Sequence, residues 1–183
     1  MDARSLRTRS QLRAAILTLS TATPIDDISV AAICRESAIT RDTFYRHAST
    51  PAHLLGDALA HEIDAAMEAL PAAQTIGDGE RLLIAHVAER ADIYRGAMRP
   101  TLVAPVRSAL EQSVRHGLET WIALRPAILP PALRDDAIGQ RIAIAYAASG
   151  TVGAIEAWLA AGTDDIERAV EMILAASPEW WLR

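Results

Sequence analysis

Apolar residues recur at every third or fourth position along most of this chain, and that spacing constrains the fold more than any other feature of the sequence. Leu12, Ala15, Ile16 and Leu19 share one face of a first segment, and Leu55, Leu59, Ile63, Met67 and Leu70 share one face of a longer one. Strict alternation, which marks a half-buried strand, forms no convincing stretch. Alanine, the best helix former, fills 37 of the 183 positions, while Val, Tyr, Phe and Thr are thin by comparison. The expected fold class is therefore all-α, with about nine helices.

Breakers and caps divide the chain. A first helix runs from about Leu6 to Leu19 and is broken by "TATPIDDIS", where Pro24 cannot sit inside a helix. Ser29 is an N-cap for a short helix to Ser37, and Thr40 for another to about His47. Thr50 caps a fourth helix with Pro51 in its first position, and this one runs to about Leu70. "PAAQTIGDG" is the clearest break. Beyond it, periodicity predicts helices from Glu80 to about Met98, and on to about Leu124, before "RPAILPP" intervenes. A helix from about Arg134 to Ala161 ends at Gly162, a position suited to a C′ glycine, and Thr163 caps a last one to about Ala176.

The net charge of −5 argues against a protein that coats nucleic acid everywhere, but the charge is uneven. Residues 1–50 carry seven arginines (4, 7, 9, 13, 35, 41, 46) against five acids (2, 26, 27, 36, 42), and every one of the 18 basic residues is arginine. An arginine-bearing head on an acidic body suggests a localised contact with phosphate. No apolar run reaches the roughly 20 residues of a membrane span, and the N-terminus lacks the pattern of a signal peptide. A single cysteine, Cys34, forms no internal disulfide, which fits a cytoplasmic location; it reads as a small buried hydrophobe. No cofactor motif is present. His86 and Glu89 stand one turn apart without further ligands, and "HEIDAAME" is not HExxH, so no metal site is expected.

The stretch "CRESAITRDTFYRH" (34–47) carries the chemistry. Two short helices across a tight turn, flanked by amphipathic helices, form the pattern of a helix-turn-helix. Phe44 and Ile39 can bury one face of the second helix. Arg41, Asp42, Thr43, Tyr45, Arg46 and His47 are left to face a groove of double-stranded DNA, and Thr40 and Ser29 sit at helix starts whose N–H groups suit phosphate. Arginine can grip guanine bidentately, whereas a tyrosine hydroxyl positions without reading sequence.

"AAICRESAITRDTFYRHASTPAHLL" resembles the helix-turn-helix of the TetR family of bacterial transcription regulators, over roughly residues 8–60, with "TFYRH" its most specific part. "GTVGAIEAWLAAG" (150–162) resembles the Gly…Trp-Leu-x-x-Gly of the eighth helix of many members. The resemblance implies an N-terminal three-helix head (1–49) that binds DNA and a helical effector-binding and dimerisation body (50–183). It implies Thr43 and Arg41 near base edges, with Tyr45, His47 and the Ser29 helix start on phosphates. It further implies a homodimeric repressor that leaves a palindromic operator when a small molecule binds. Four positions depart from the family pattern. Ala38 replaces a turn glycine, Ala48 a wedging phenylalanine, Pro51 a phosphate-touching lysine, and Asp42 places an acid on the reading helix.

In the body, Met67, His86, Tyr94, Met98, His116 and Trp121 are the larger or polar candidates to line a pocket for an apolar or aromatic effector with one or two hydrogen-bonding groups. Ile142, Tyr146, Gly150, Gly153, Trp158, Ile166, Val170 and Ile173 are the candidates for a dimer seam formed by the last two helices. Two other readings stand beside the regulator: an all-helical small-molecule-binding protein or enzyme with no DNA role, and an interaction module anchored by tryptophans, among them Trp180 and Trp181. No phosphate loop, metal-ligand set or nucleophile elbow supports an enzyme.

Overall fold

Helical periodicity becomes helix at nearly every position where the sequence carries it. The structure, a computed structural model, describes residues 3–68, 76–163 and 165–178. Among these are ten α-helices: α1 (Ala3–Ser20), α2 (Val30–Ser37), α3 (Arg41–His47), α4 (Pro51–Glu68), α5 (Ile76–Glu89), α6 (Ala91–Gly96), α7 (Ala104–Leu124), α8 (Pro131–Arg134), α9 (Ala137–Ala161) and α10 (Ile166–Ala176). No strand occurs among the described residues, only an isolated bridge between Met98 and Leu102. Leu70, residues 71–75, Trp180 and Trp181 lie outside the described residues.

The chain divides into two compact units. The first comprises residues 1–62 and 90–109. In it α1 packs on α2 and α6, and α2 on α3. Its core is Leu12, Ile16, Ile33, Phe44, Leu54, Leu55, Leu59, Ile93 and Tyr94, all buried. A Cβ on Gly56 would fall 2.7 Å from the Pro105 carbonyl oxygen, so α4 and α7 approach too closely there for any side chain. Arg13 joins α1 to α4 through a bidentate pair with Asp57 (2.7 and 3.1 Å), and Arg90 grips Glu62 in the same manner (2.7 and 3.0 Å).

The second unit comprises residues 63–89 and 110–183. In it α10 lies along α5, and Arg81 forks onto Glu167 across that seam. Leu118, Ile122, Leu129, Ile144 and Ala147 form a core cluster, with Ile76, Val114 and Leu174 packed against it. By length and composition α9 could cross a membrane, but half of its apolar window is buried inside the protein, as befits a core helix.

α1 starts at Ala3 where about Leu6 was expected, and α8 is an added short helix; three further boundaries differ from the sequence reading, each for a local reason. The helix expected over 80–98 starts earlier, at Ile76, and breaks at Arg90, whose side chain is committed to Glu62, so that Ile93 and Tyr94 are buried in the first unit. α9 begins three residues later than expected because Asp136 caps it, accepting from the Ile138 N–H at 3.0 Å. Asp165, not Thr163, caps α10, accepting from the Arg168 N–H at 3.0 Å.

The turn between α2 and α3 takes the left-handed conformation at Ala38 (φ 55°, ψ 34°), where its N–H bonds to Arg35 and the Ile39 N–H to Cys34. A Cβ in this region is strained by roughly 1–2 kcal/mol, partly offset in a glycine variant by the greater freedom of the unfolded chain. Ala38→Gly should therefore stabilise the protein by about 0.5–1 kcal/mol, read as a higher midpoint of denaturant unfolding at unchanged slope. Gly162→Ala, at the matching left-handed cap of α9 (φ 67°), should shift the midpoint the other way.

Candidate nucleic-acid interface

Seven residues make α3, and one of them seats it. Phe44, the only phenylalanine of the chain, is fully buried. Its helical neighbours divide by direction: Arg41, Asp42, Tyr45 and Arg46 are exposed, and Thr43 and His47 are half-buried. Tyr45 is 60 % exposed yet held in place, its ring edge-on to Phe44 at 5.3 Å with the planes at 85°. Thr40 caps the helix, its Oγ1 accepting from the Thr43 N–H at 3.3 Å. Ser29 caps α2 in the same way, accepting from the Ala32 N–H at 3.2 Å. The eight residues singled out for DNA thus lie at two capped helix starts and around the outward side of α3.

Asp42, the unexpected acid, is paired. Its Oδ2 accepts from Arg46 Nη2 at 2.7 Å, one turn along the helix, and the same guanidinium nitrogen reaches Thr43 Oγ1 at 3.4 Å. The pair is exposed at both ends, so it contributes at most a few tenths of a kcal/mol. Its effect is on direction: the carboxylate draws the Arg46 guanidinium along the open face of α3, and the two opposite charges partly offset each other.

Sequence reasoning passed over a neighbouring polar cluster. His53 Nδ1 lies 3.0 Å from Ser49 Oγ and 2.8 Å from Thr50 Oγ1, and Thr50 caps α4 by accepting the His53 N–H at 3.2 Å. The hydroxyls ahead of Pro51 were the available signal. Arg13, one of the head's arginines, is committed to Asp57. Burial alone would raise the Asp57 carboxyl; the hydrogen bond and charge of Arg13, with Arg9 and His61, bring it below its ordinary value.

The pocket candidates do not fall in one unit. Tyr94, fully buried, and Met98 belong to the first; Met67, His86, His116 and Trp121 belong to the second. His86 is buried, His116 exposed, and Trp121 carries Arg125 over its ring at 4.5 Å. The residue that sequence reasoning missed there is Glu80. It stands four residues after Ile76 and three before Leu83, on the apolar side of α5, and is only 5 % exposed. Thr151 of α9 donates to its Oε1 at 3.4 Å, and among the described residues no group bonds its Oε2. Burial pushes this carboxyl up to about 7, against a smaller lowering by Thr151.

Among the dimer candidates, Val170, Ile173 and Trp158 are buried within the chain itself and Ile166 is half-buried. Ile142 (65 % exposed) and Tyr146 (73 %) stand outward, and nothing lies within 4 Å of a Cβ built on Gly150 or Gly153. Ile138 on α9 and Met172 on α10 extend this open apolar face. A groove of about 530 Å³ runs between α9 and α10, lined by Tyr146, Gly150, Thr151, Trp158 and Met172 among others. Among the described residues, no group of three or more His, Cys, Asp or Glu is placed to hold a metal ion.

Solved structures share this arrangement of helices. The "Dihydroxyacetone kinase operon activator DhaS" superposes with a TM-score of 0.62 at 15 % identity, over 92 % of this chain and 94 % of that one. A TetR transcriptional regulator from Rhodococcus sp. RHA1 superposes with a TM-score of 0.60 at 14 % identity, over 97 % of this chain and all of the other. The fold is similar to that of this solved TetR regulator. No protein-family model and no curated protein matches the sequence. At such low identity the likeness is one of fold; α2 and α3 are two short helices joined across the tight turn at Ala38.

Glu80 generates a prediction about stability. Its carboxyl ionises near 4.5 in the unfolded chain and near 7 in the folded one. The folded state thus has its full share of this stability below about pH 4.5, and loses it as pH rises through about 7. Glu80→Gln should remove this dependence, and at pH 8 the variant should be the more stable by up to about 3 kcal/mol in denaturant unfolding, with little difference at pH 4.5.

Proposed function

We propose that this protein is a DNA-binding transcriptional regulator of the TetR type, a cytoplasmic homodimer that represses nearby genes and is released from a palindromic operator by a small molecule. The observation that carries the reading is the two-sided α3: Phe44 inward at zero exposure, and Arg41, Tyr45 and Arg46 outward on a capped helix held by a tight turn. Residues 1–49 act as the DNA-binding part and 50–183 as the effector-binding and dimerisation part. Arg41 and Thr43 meet base edges, while Tyr45, His47 and the start of α2 at Ser29 meet phosphate.

A reading helix of seven residues touches too few base pairs for specificity, so two copies must act together. The open face of α9 supports such pairing. Ile138, Ile142 and Tyr146 recur every four residues, and Gly150 and Gly153 continue the row with bare backbone, which lets a facing helix approach closely. A twofold dimer of this kind reads half-sites about one turn of DNA apart, roughly 34 Å. The effector acts by favouring a body shape with the wrong separation, to the extent of its differential affinity for the two shapes. Both α4 and α7 contain residues of both units.

Binding to mixed-sequence DNA should weaken steeply with salt, and a palindromic site selected from the organism's own DNA should bind at least a thousandfold more tightly. A protein without a DNA role would show neither. On that operator, Arg41→Ala should relax base preference at one position per half-site at a cost of about 1–3 kcal/mol, measured by competition among base-substituted sites. Tyr45→Phe should weaken all sites by a similar factor.

A further inference from the structure

We propose that Glu80 is the recognition group for the effector, and that the effector is cationic: an alkyl- or arylalkylammonium whose N–H donors pair with Oε2 while its apolar body lies within the second unit. The inference rests on the effector-binding reading of that unit and names the class of compound it takes.

Four observations lead there. Glu80 is nine-tenths buried, and its Oε2 accepts no hydrogen bond among the described residues, although buried polar atoms are almost always satisfied. Thr151, its hydrogen-bond partner among the described residues, holds only the other oxygen, and that at the long distance of 3.4 Å. Neighbouring charge is directed elsewhere: Arg81, the next residue, reaches outward to Glu167 and Asp78 at the surface. The surroundings are apolar and adjustable. Leu83, Ile84 and Val87 continue the buried side of α5, and the Met67 methyl group lies 3.7 Å from a Cβ built on Gly79 and 3.3 Å from one on Gly117. Methionine is the most compliant of apolar side chains, and backbone bare of side chains lies on two sides of it, so modest motion of Met67 opens space one residue from Glu80.

Chemistry narrows the occupant. An anion would be repelled by the ionised carboxylate. A metal needs more ligands than one carboxylate, and among the described residues none cluster there. A purely apolar ligand would leave Oε2 as it stands, gaining nothing from the carboxyl and sealing it further from water. An ammonium supplies up to three donors and a compensating charge, and a charge-assisted bond in such surroundings is among the stronger ones.

The test compares two probes of one shape, 4-phenylbutylammonium and 4-phenylbutan-1-ol, by calorimetric titration into the full-length protein at pH 8. The ammonium should bind the wild-type protein about tenfold or more tightly than the alcohol. Glu80→Gln should abolish that preference while leaving the alcohol within about twofold of its wild-type affinity. Equal affinities in the wild-type protein, no detectable binding of the ammonium at millimolar concentration, or a preference that survives in Glu80→Gln would each overturn the assignment. The wild-type comparison stands whether or not the variant folds. No DNA enters the experiment: an ammonium preference in a protein that ignores DNA would sink the regulator and keep Glu80, and the converse would sink Glu80 alone.

Discussion

The burial of one aromatic ring governs the functional geometry of this molecule. A seven-residue helix has no stability of its own, since nucleation outweighs so few hydrogen bonds. α3 exists and points where it does because Phe44 is buried in the core of the first unit, a contribution of about 1.5–3 kcal/mol. Once Phe44 is fixed, the 3.6-residue period sends Arg41, Tyr45 and Arg46 outward together. The left-handed turn at Ala38 then sets the angle at which α3 leaves α2, at some strain. Tyr45 gains order from the same ring it leans on, so a polar hydroxyl is displayed on a side chain that gives up little further freedom on contact.

The second unit follows a different logic. Its core is ordinary Leu and Ile packing around Leu118 and Ile144, but two features depart from what stability alone would choose. A carboxyl sits among apolar side chains with one oxygen lacking a donor among the described residues, and a long helix shows water a row of isoleucine, tyrosine and glycine. Each is unfavourable for an isolated chain. In the proposed reading, each is resolved by a partner of stated chemistry: a cation in the first case, a second copy of α9 in the second.

Much of this was legible in the sequence, because local rules dominate where elements are short. The caps at Ser29 and Thr40, proline at the first position of α4 and the left-handed Gly162 all follow from backbone chemistry that a few residues determine. The inward role of Phe44 followed from its place among polar neighbours. What escaped was tertiary. Nothing in "ERADIYRG" marks a break, because the break at Arg90 depends on Glu62, 28 residues away. Glu80 looked like an ordinary residue of a helix's first turn until α9 was found to place Thr151 against it. The pairing of Asp42 with Arg46 was available in principle from their four-residue spacing, whereas the division of the pocket candidates between two units was not.

The central claim is that two outward-facing copies of α3 read one duplex in step. Hydroxyl-radical footprinting of the protein on its most tightly selected genomic fragment tests it most directly. The account predicts two protected patches related by an inverted repeat, on one face of the duplex and about one helical turn apart. A single patch, protection without sequence symmetry, or no fragment enriched above bulk DNA would contradict it.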